Sequence, residues 1–177
     1  MGRALKVLLW AVVALVLIAV LGGYLLSPKF TVVRTVQIQA PPERVYALVA
    51  SPRAWKEWSV WNRRDPSMMM GYSGADSGAG AVWTWQSKSE GDGRMTFTAA
   101  EPNRHVAFEL FFPDFGTTST GGFDFVPEAG GTKVSWTMNG DLGRNPVFRW
   151  MGLFADKMVG KDFEMGLANL KELAEKG

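Results

Sequence analysis

Residues 81–112 read AVWTWQSKSEGDGRMTFTAAEPNRHVAFELFF, and the fold turns on this stretch. Three runs in it alternate with a period of two: Trp83 and Trp85, then Met95 and Phe97, then Val106, Phe108, Leu110 and Phe112. That period puts one set of side chains on a single face of a strand. Gly91-Asp92-Gly93 and Glu101-Pro102-Asn103 separate the runs, and Gly, Asn and Asp supply the positive φ angles of tight reversals. A parallel crossover needs a dozen or more residues, so links this short predict antiparallel neighbours. The shared face is aromatic.

The same pattern continues in both directions. Downstream, Phe123 and Phe125 mark a strand over 122–127, and Val134, Trp136 and Met138 mark one over 133–139, with Glu128-Ala129-Gly130-Gly131 between them. A long helix follows over 156–176, with Asp156 as N-cap and Gly177 as stop. Its apolar stripe is Val159, Phe163, Leu167, Leu170 and Ala174. Upstream, a strand is expected over 68–72 and short helices over 52–58 and 43–50, the latter opened by Pro41-Pro42-Glu43. Alternation of Val32, Val36, Ile38 and Ala40 predicts a first strand over 31–40. The expected fold is α+β: a curved antiparallel sheet of about seven strands around a long C-terminal helix.

The chain begins differently. Between Val7 and Leu26 lie twenty uncharged residues, thirteen of them Val, Leu or Ile. As a helix this run is about 30 Å long, enough to cross a bilayer core. Arg3 and Lys6 precede it, which favours a cytoplasmic N-terminus. Trp10 and Tyr24 lie near its two ends. A cleaved signal peptide would have a shorter apolar region and an A-x-A-like site, whereas Leu21-Gly22-Gly23-Tyr24-Leu25-Leu26 runs on to Ser27-Pro28. A buried core helix would show an amphipathic face, and this one has none. The reading is residues 1–28 as a transmembrane signal anchor and link, and residues 29–177 as one domain outside the cytoplasm, periplasmic in a Gram-negative cell.

Composition removes several functional classes. The chain has 177 residues, no Cys and one His, so thiolate chemistry, disulfides and His-pair metal sites are excluded. Beyond the anchor, 17 basic residues face 17 acidic ones, without the basic stripe of a nucleic-acid binder. There is no G-x-S-x-G, Walker A or dinucleotide fingerprint, and no metal or cofactor is expected. Glycines 74, 78 and 80 lie between strands and read as a hairpin loop rather than a phosphate cradle.

The order of elements and a series of short motifs resemble the START-like SRPBCC superfamily, specifically its polyketide cyclase/dehydrase and lipid-transport branch. The residues that carry the resemblance are Ala40-Pro41-Pro42-Glu43-Arg44-Val45-Tyr46 and Trp55-Lys56-Glu57-Trp58-Ser59-Val60-Trp61. Tyr72-Ser73-Gly74, Gly78-Ala79-Gly80-Ala81 and Trp83 follow, then Gly130-Gly131-Thr132-Lys133-Val134-Ser135-Trp136 and Gly160-Lys161-Asp162-Phe163-Glu164-Met165-Gly166-Leu167-Ala168-Asn169-Leu170-Lys171. The resemblance spans about residues 31–176 and is similar to the membrane-anchored members. It implies a helix-grip fold around an apolar cavity, and it implies no particular chemistry, because the superfamily mixes binders, transporters and enzymes.

Eight Trp and eleven Phe exceed an ordinary core of this size. The expected cavity wall is Trp55, Trp58, Trp61, Trp83, Trp85, Met95, Phe97, Phe108, Leu110, Phe123, Phe125, Trp136, Met138, Phe163 and Gly166. Gly166 interrupts the helix stripe, where either a bulky strand residue or a ligand packs. Candidate acid–base groups are Glu57, between two indoles, Tyr72 and His105. Two of them also have a plain reading: Glu57 facing water, His105 at the surface or a strand edge. Residues 145–154 (NPVFRWMGLF), with Phe111-Phe112-Pro113-Asp114-Phe115, are expected to form a greasy rim at the cavity mouth or to pack beneath the sheet. The function expected is non-catalytic binding of a hydrophobic or amphipathic small molecule or lipid. The alternatives are a cyclase/dehydratase-type enzyme on a polyketide-like substrate and an envelope protein-interaction module.

Overall fold

The computed structural model describes residues 2–114 and 116–176. Phe115 of the expected rim and Gly177, the expected helix stop, lie outside the described residues. The apolar N-terminal run forms helix α1 (Arg3–Leu25), long and apolar enough to cross a membrane. It hands over to extended backbone at Leu26, just ahead of Ser27, which Pro28 keeps out of the helical region. Strand β1 (Lys29–Ile38) follows, then α2 (Pro42–Ala50), α3 (Trp55–Trp58) and α4 (Val60–Arg64). Six strands come next: β2 (Met69–Gly74), β3 (Ala81–Gln86), β4 (Gly93–Glu101), β5 (His105–Phe112), β6 (Thr117–Glu128) and β7 (Gly131–Asp141). Helices α5 (Pro146–Arg149) and α6 (Gly152–Glu175) close the chain.

The seven strands form one antiparallel sheet in the order β1-β7-β6-β5-β4-β3-β2. β2 to β7 are a meander, and β1 joins beyond β7, with Val32 opposite Met138 and Val36 opposite Val134. The chain therefore starts at one edge, crosses the concave face through α2, α3 and α4, and returns strand by strand to where it began. Helix α6 lies on the same concave face and is pinned to β1 along its length. Near its start Arg34 donates to Asp156 at 2.8 Å and to Glu164 at 2.6 Å. Near its end Lys171 donates to the Gln37 carbonyl at 2.7 Å, and Glu175 accepts from the Gln39 amide at 2.6 Å. Gly160 lets Arg34 in: a Cβ there would lie 2.0 Å from Nη2 of the guanidinium.

The structure differs from the sequence reading in four places. Helix α6 begins at Gly152, so Asp156 is not its N-cap; its carboxylate is taken by Arg34. The cap stands earlier, at Asn145, whose side chain accepts from the Val147 amide at 3.0 Å ahead of Pro146. Trp150 and Met151 keep right-handed helical geometry, which carries the chain from α5 into α6. The short helix α4 also goes unseen in the sequence, because five residues show no helical period. Strand β6 starts five residues before the expected position, at Thr117, where a polar β-branched run pairs with β5 and β7. Finally, α5 packs on neither the cavity mouth nor the underside of the sheet. It packs on the last turns of α1: a Cβ at Gly23 would lie 2.0 Å from the Pro146 carbonyl oxygen, and one at Gly22 would lie 2.7 Å from the Trp150 ring.

Candidate ligand cavity

The concave face divides into a solid half and a hollow half, and three tryptophans of one short segment mark the division. Trp55 and Trp58 enter the core from α3, with ring centroids 4.4 Å apart. Trp55 also meets Trp83 at 4.9 Å, Phe123 at 5.8 Å and Trp136 at 5.7 Å. Both indoles are fully buried and satisfy their N–H groups on the backbone of α2: Trp55 donates to the Val49 carbonyl at 2.8 Å and Trp58 to Leu48 at 3.1 Å. Phe97, Phe123 and Phe125 are buried in the same mass. Trp58, Phe97, Phe123 and Phe125, expected on a cavity wall, therefore lie in close-packed interior and border neither space described below. Gly166 lies there too, and of the two partners its sequence position left open, a bulky strand residue, Trp136, is the one in contact. A Cβ on Gly166 would be 3.1 Å from Cζ3 of that indole, which stacks on Phe163 at 3.8 Å.

Trp61, from α4, is only partly buried and separates two adjoining cavities. The smaller, about 110 Å³, lies between α3, α4 and strands β2 to β5, and Trp55, Met70, Trp83 and Trp85 are among its walls. The larger, about 380 Å³, lies between α4, α6 and strands β4, β5 and β7, and Phe108, Trp136, Met138 and Phe163 are among its walls. Trp61, Met95, Leu110 and Phe112 line both. The larger volume falls within the range of small-molecule sites, and its lining is mostly apolar, as such sites are.

The polar groups of this hollow are few and linked. Trp61 donates through Nε1 to Oδ2 of Asp162 at 3.1 Å. Arg64 donates to Oδ1 of the same carboxylate at 2.5 Å and to Glu90 at 3.0 Å. This chain of contacts joins α4, α6 and the β3–β4 loop across the line where the cavities meet. The hydrogen bond to Asp162 is the main cause that holds the Arg64 guanidinium above its ordinary pKa. The Nε1 of Trp136, a residue of the larger cavity's wall, is itself buried away from that space and has no partner among the described residues.

The acid–base candidates do not converge here. Glu57 is exposed on α3. His105 is on the outer face of β5, paired with Asp124 across the ladder at 2.7 Å. Tyr72 borders a separate small pocket with Arg53 and Asp76, its ring 4.5 Å beneath the Arg53 guanidinium. Its hydroxyl is buried without a partner among the described residues, and burial raises its pKa. Among the described residues no cluster of three His, Asp or Glu side chains suits a metal ion. The sequence reading did not include Ser59, Asn62, Met68, Met70, Glu90, Met158 and Val159 in the wall. Met68 and Met70 carried the one available signal, a Met-rich run at a strand start, and Asn62 touches both sulfurs at 3.6 and 3.7 Å.

Comparison with known proteins places this geometry. The family model described as polyketide cyclase / dehydrase and lipid transport matches residues 29–175. No curated protein matches the chain. Among solved structures, protein CV1439 from Chromobacterium violaceum aligns with a TM-score of 0.62 at 16% identity, covering 83% of this chain and 98% of that one. The Aha1 dimer from Colwellia psychrerythraea aligns at 0.58 and 18%, covering 83% and 97%. The di-domain ARO/CYC protein BexL, of the BE-7585A biosynthetic pathway, aligns at 0.59 and 19%, covering 84% of this chain and 51% of that one. At these identities the likeness is one of fold.

Proposed function

The chain belongs to the polyketide cyclase/dehydrase and lipid transport family, and from that premise we propose that it is a membrane-anchored binding protein for an apolar or amphipathic small molecule or lipid, without a catalytic step. Residues 1–28 serve as anchor and link, and residues 29–177 hold the guest outside the cytoplasm. The observation that carries the reading is the open, apolar cavity of about 380 Å³ beside Trp61, continuous along its wall with a second of about 110 Å³. An apolar space of this kind gains affinity from the area it removes from water, at roughly 25 cal/mol per Å². The cyclase/dehydratase reading would need acid–base groups at the guest, and Glu57, Tyr72 and His105 border neither cavity.

Native mass spectrometry of the purified full-length chain tests the proposal. A stoichiometric apolar guest is expected on the natural protein. Val159→Trp, which fills the larger cavity, is expected to lose it while circular dichroism stays unchanged. A chain that never carries a guest, or a guest held equally well by the filled variant, would overturn the reading.

A further inference from the structure

The anchor and the domain are in contact, and the contact reaches far down the anchor. Trp150, at the end of α5, donates from Nε1 to the carbonyl oxygen of Ala19 at 2.8 Å. Ala19 lies seven residues before Leu26, about 10 Å along a helix of 1.5 Å rise per residue. Gly22 and Gly23, the two glycines of the span, are the surface on which Trp150 and Pro146 rest, with no room for a Cβ at Gly23. At the upper end of the same contact Arg149 donates to the Leu26 carbonyl at 3.4 Å, and its guanidinium lies 5.7 Å from the Tyr24 ring centre. A 23-residue helix with an apolar run from Val7 to its end, when it crosses a bilayer, has Ala19 below the headgroups. Whatever is hydrogen-bonded to Ala19 is then at that depth too.

From this geometry we infer that α5 and the first turns of α6 form a second membrane contact, seated in the outer interfacial layer of the bilayer that α1 crosses. The side chains of this segment suit that place. Val147, Trp150, Leu153, Phe154 and Met158 are exposed apolar residues that extend the lipid-facing surface of α1 onto the domain. Arg149, with Tyr24 beside it, stands at the level where the anchor ends, as Arg and aromatic residues do at the headgroups. A seating depth of about 5–10 Å is that of an interfacial helix and matches the Ala19 contact. The patch ends on Met158, which also borders the larger cavity, so the mouth of that cavity faces the lipid. The inference rests on α1 being a membrane span, and goes beyond it in fixing the face by which the domain meets the bilayer.

The absence of Cys makes the test direct, because any introduced thiol is unique. Full-length chains carrying Leu153→Cys, Phe154→Cys, Leu15→Cys or Val126→Cys are labelled with an environment-sensitive fluorophore and reconstituted in phosphatidylcholine vesicles containing brominated acyl chains. All four positions are exposed, so labelling leaves the core intact. Quenching is expected at 15, 153 and 154 and not at 126, on the distant β6. Trp150→Ala is expected to reduce quenching at 153 while leaving that at 15. Quenching at 15 with 153 and 154 behaving like 126 overturns the inference and leaves the anchor standing. No quenching at 15 overturns the anchor itself, and the inference with it.

Discussion

Trp55 and Trp61 lie six residues apart against the same face of the same sheet, yet Trp55 is fully buried and touches only the smaller cavity, whereas Trp61 is partly buried and lines both. Ring contacts alone do not explain this, since Trp61 also meets Trp136 at 5.8 Å and Phe163 at 6.4 Å. The difference is in what holds the N–H. Trp55 donates to a backbone carbonyl of α2, which cannot move without the helix. Trp61 donates to Asp162, a side chain shared with Arg64 and through it with Glu90. A donor held by backbone fixes an indole, whereas one held by a side-chain ion pair leaves it able to swing. Trp55 is thus tied to backbone, and Trp61 to a network of side chains.

Variants can break this contrast, starting with the largest effect. Trp55→Ala removes the centre of the solid half and is expected to cost about 3–5 kcal/mol, read by denaturant unfolding. Trp61→Phe keeps a ring but loses the bond to Asp162. It should cost about 1–2 kcal/mol and speed guest release in stopped-flow exchange. Arg64→Ala removes a half-exposed ion pair and should change stability by only about 0–1 kcal/mol, yet accelerate release as Trp61→Phe does. If release were unchanged in both, the wall would be as fixed as Trp55.

The smallest effect concerns acid. Hydrogen bonding from Arg34 holds the Asp156 carboxyl below its ordinary pKa. Its contribution to stability is therefore complete above the unfolded value of about 3.9 and is lost as pH falls through the lower folded value. Asp156→Asn should lower the melting temperature slightly at neutral pH and flatten the acid limb, the two proteins converging at low pH.

The face of each strand was legible in the sequence, because a period of two and short turns leave a meander little freedom. Trp83, Met95, Phe108, Phe123 and Trp136 all point where their alternation says. Depth along that face was not legible. Whether an inward residue meets a packed ring or open space depends on where α3, α4 and α6 come to rest, and periodicity is silent on that. Phe123 and Phe108 follow the same alternation, but one is enclosed by Trp55 and Trp136 while the other borders the larger cavity. The apolar stretch 145–154 shows the same limit. Its greasiness was plain, but its seat on Gly22 and Gly23 depends on two elements distant in the chain.

The pairing of first strand with last has a mechanical outcome. Lys29 lies opposite Asp141, and the Leu142 amide donates to the Pro28 carbonyl at 2.8 Å, so the domain is stapled at the point where it leaves the anchor. Only Leu26, Ser27 and Pro28 separate α1 from β1, a leash of roughly 10 Å at full stretch. With α1 crossing a bilayer as proposed, a domain on so short a leash could neither tumble freely nor ferry cargo across an aqueous gap. It would act as a fixed station, and anything it hands over would have to come to it.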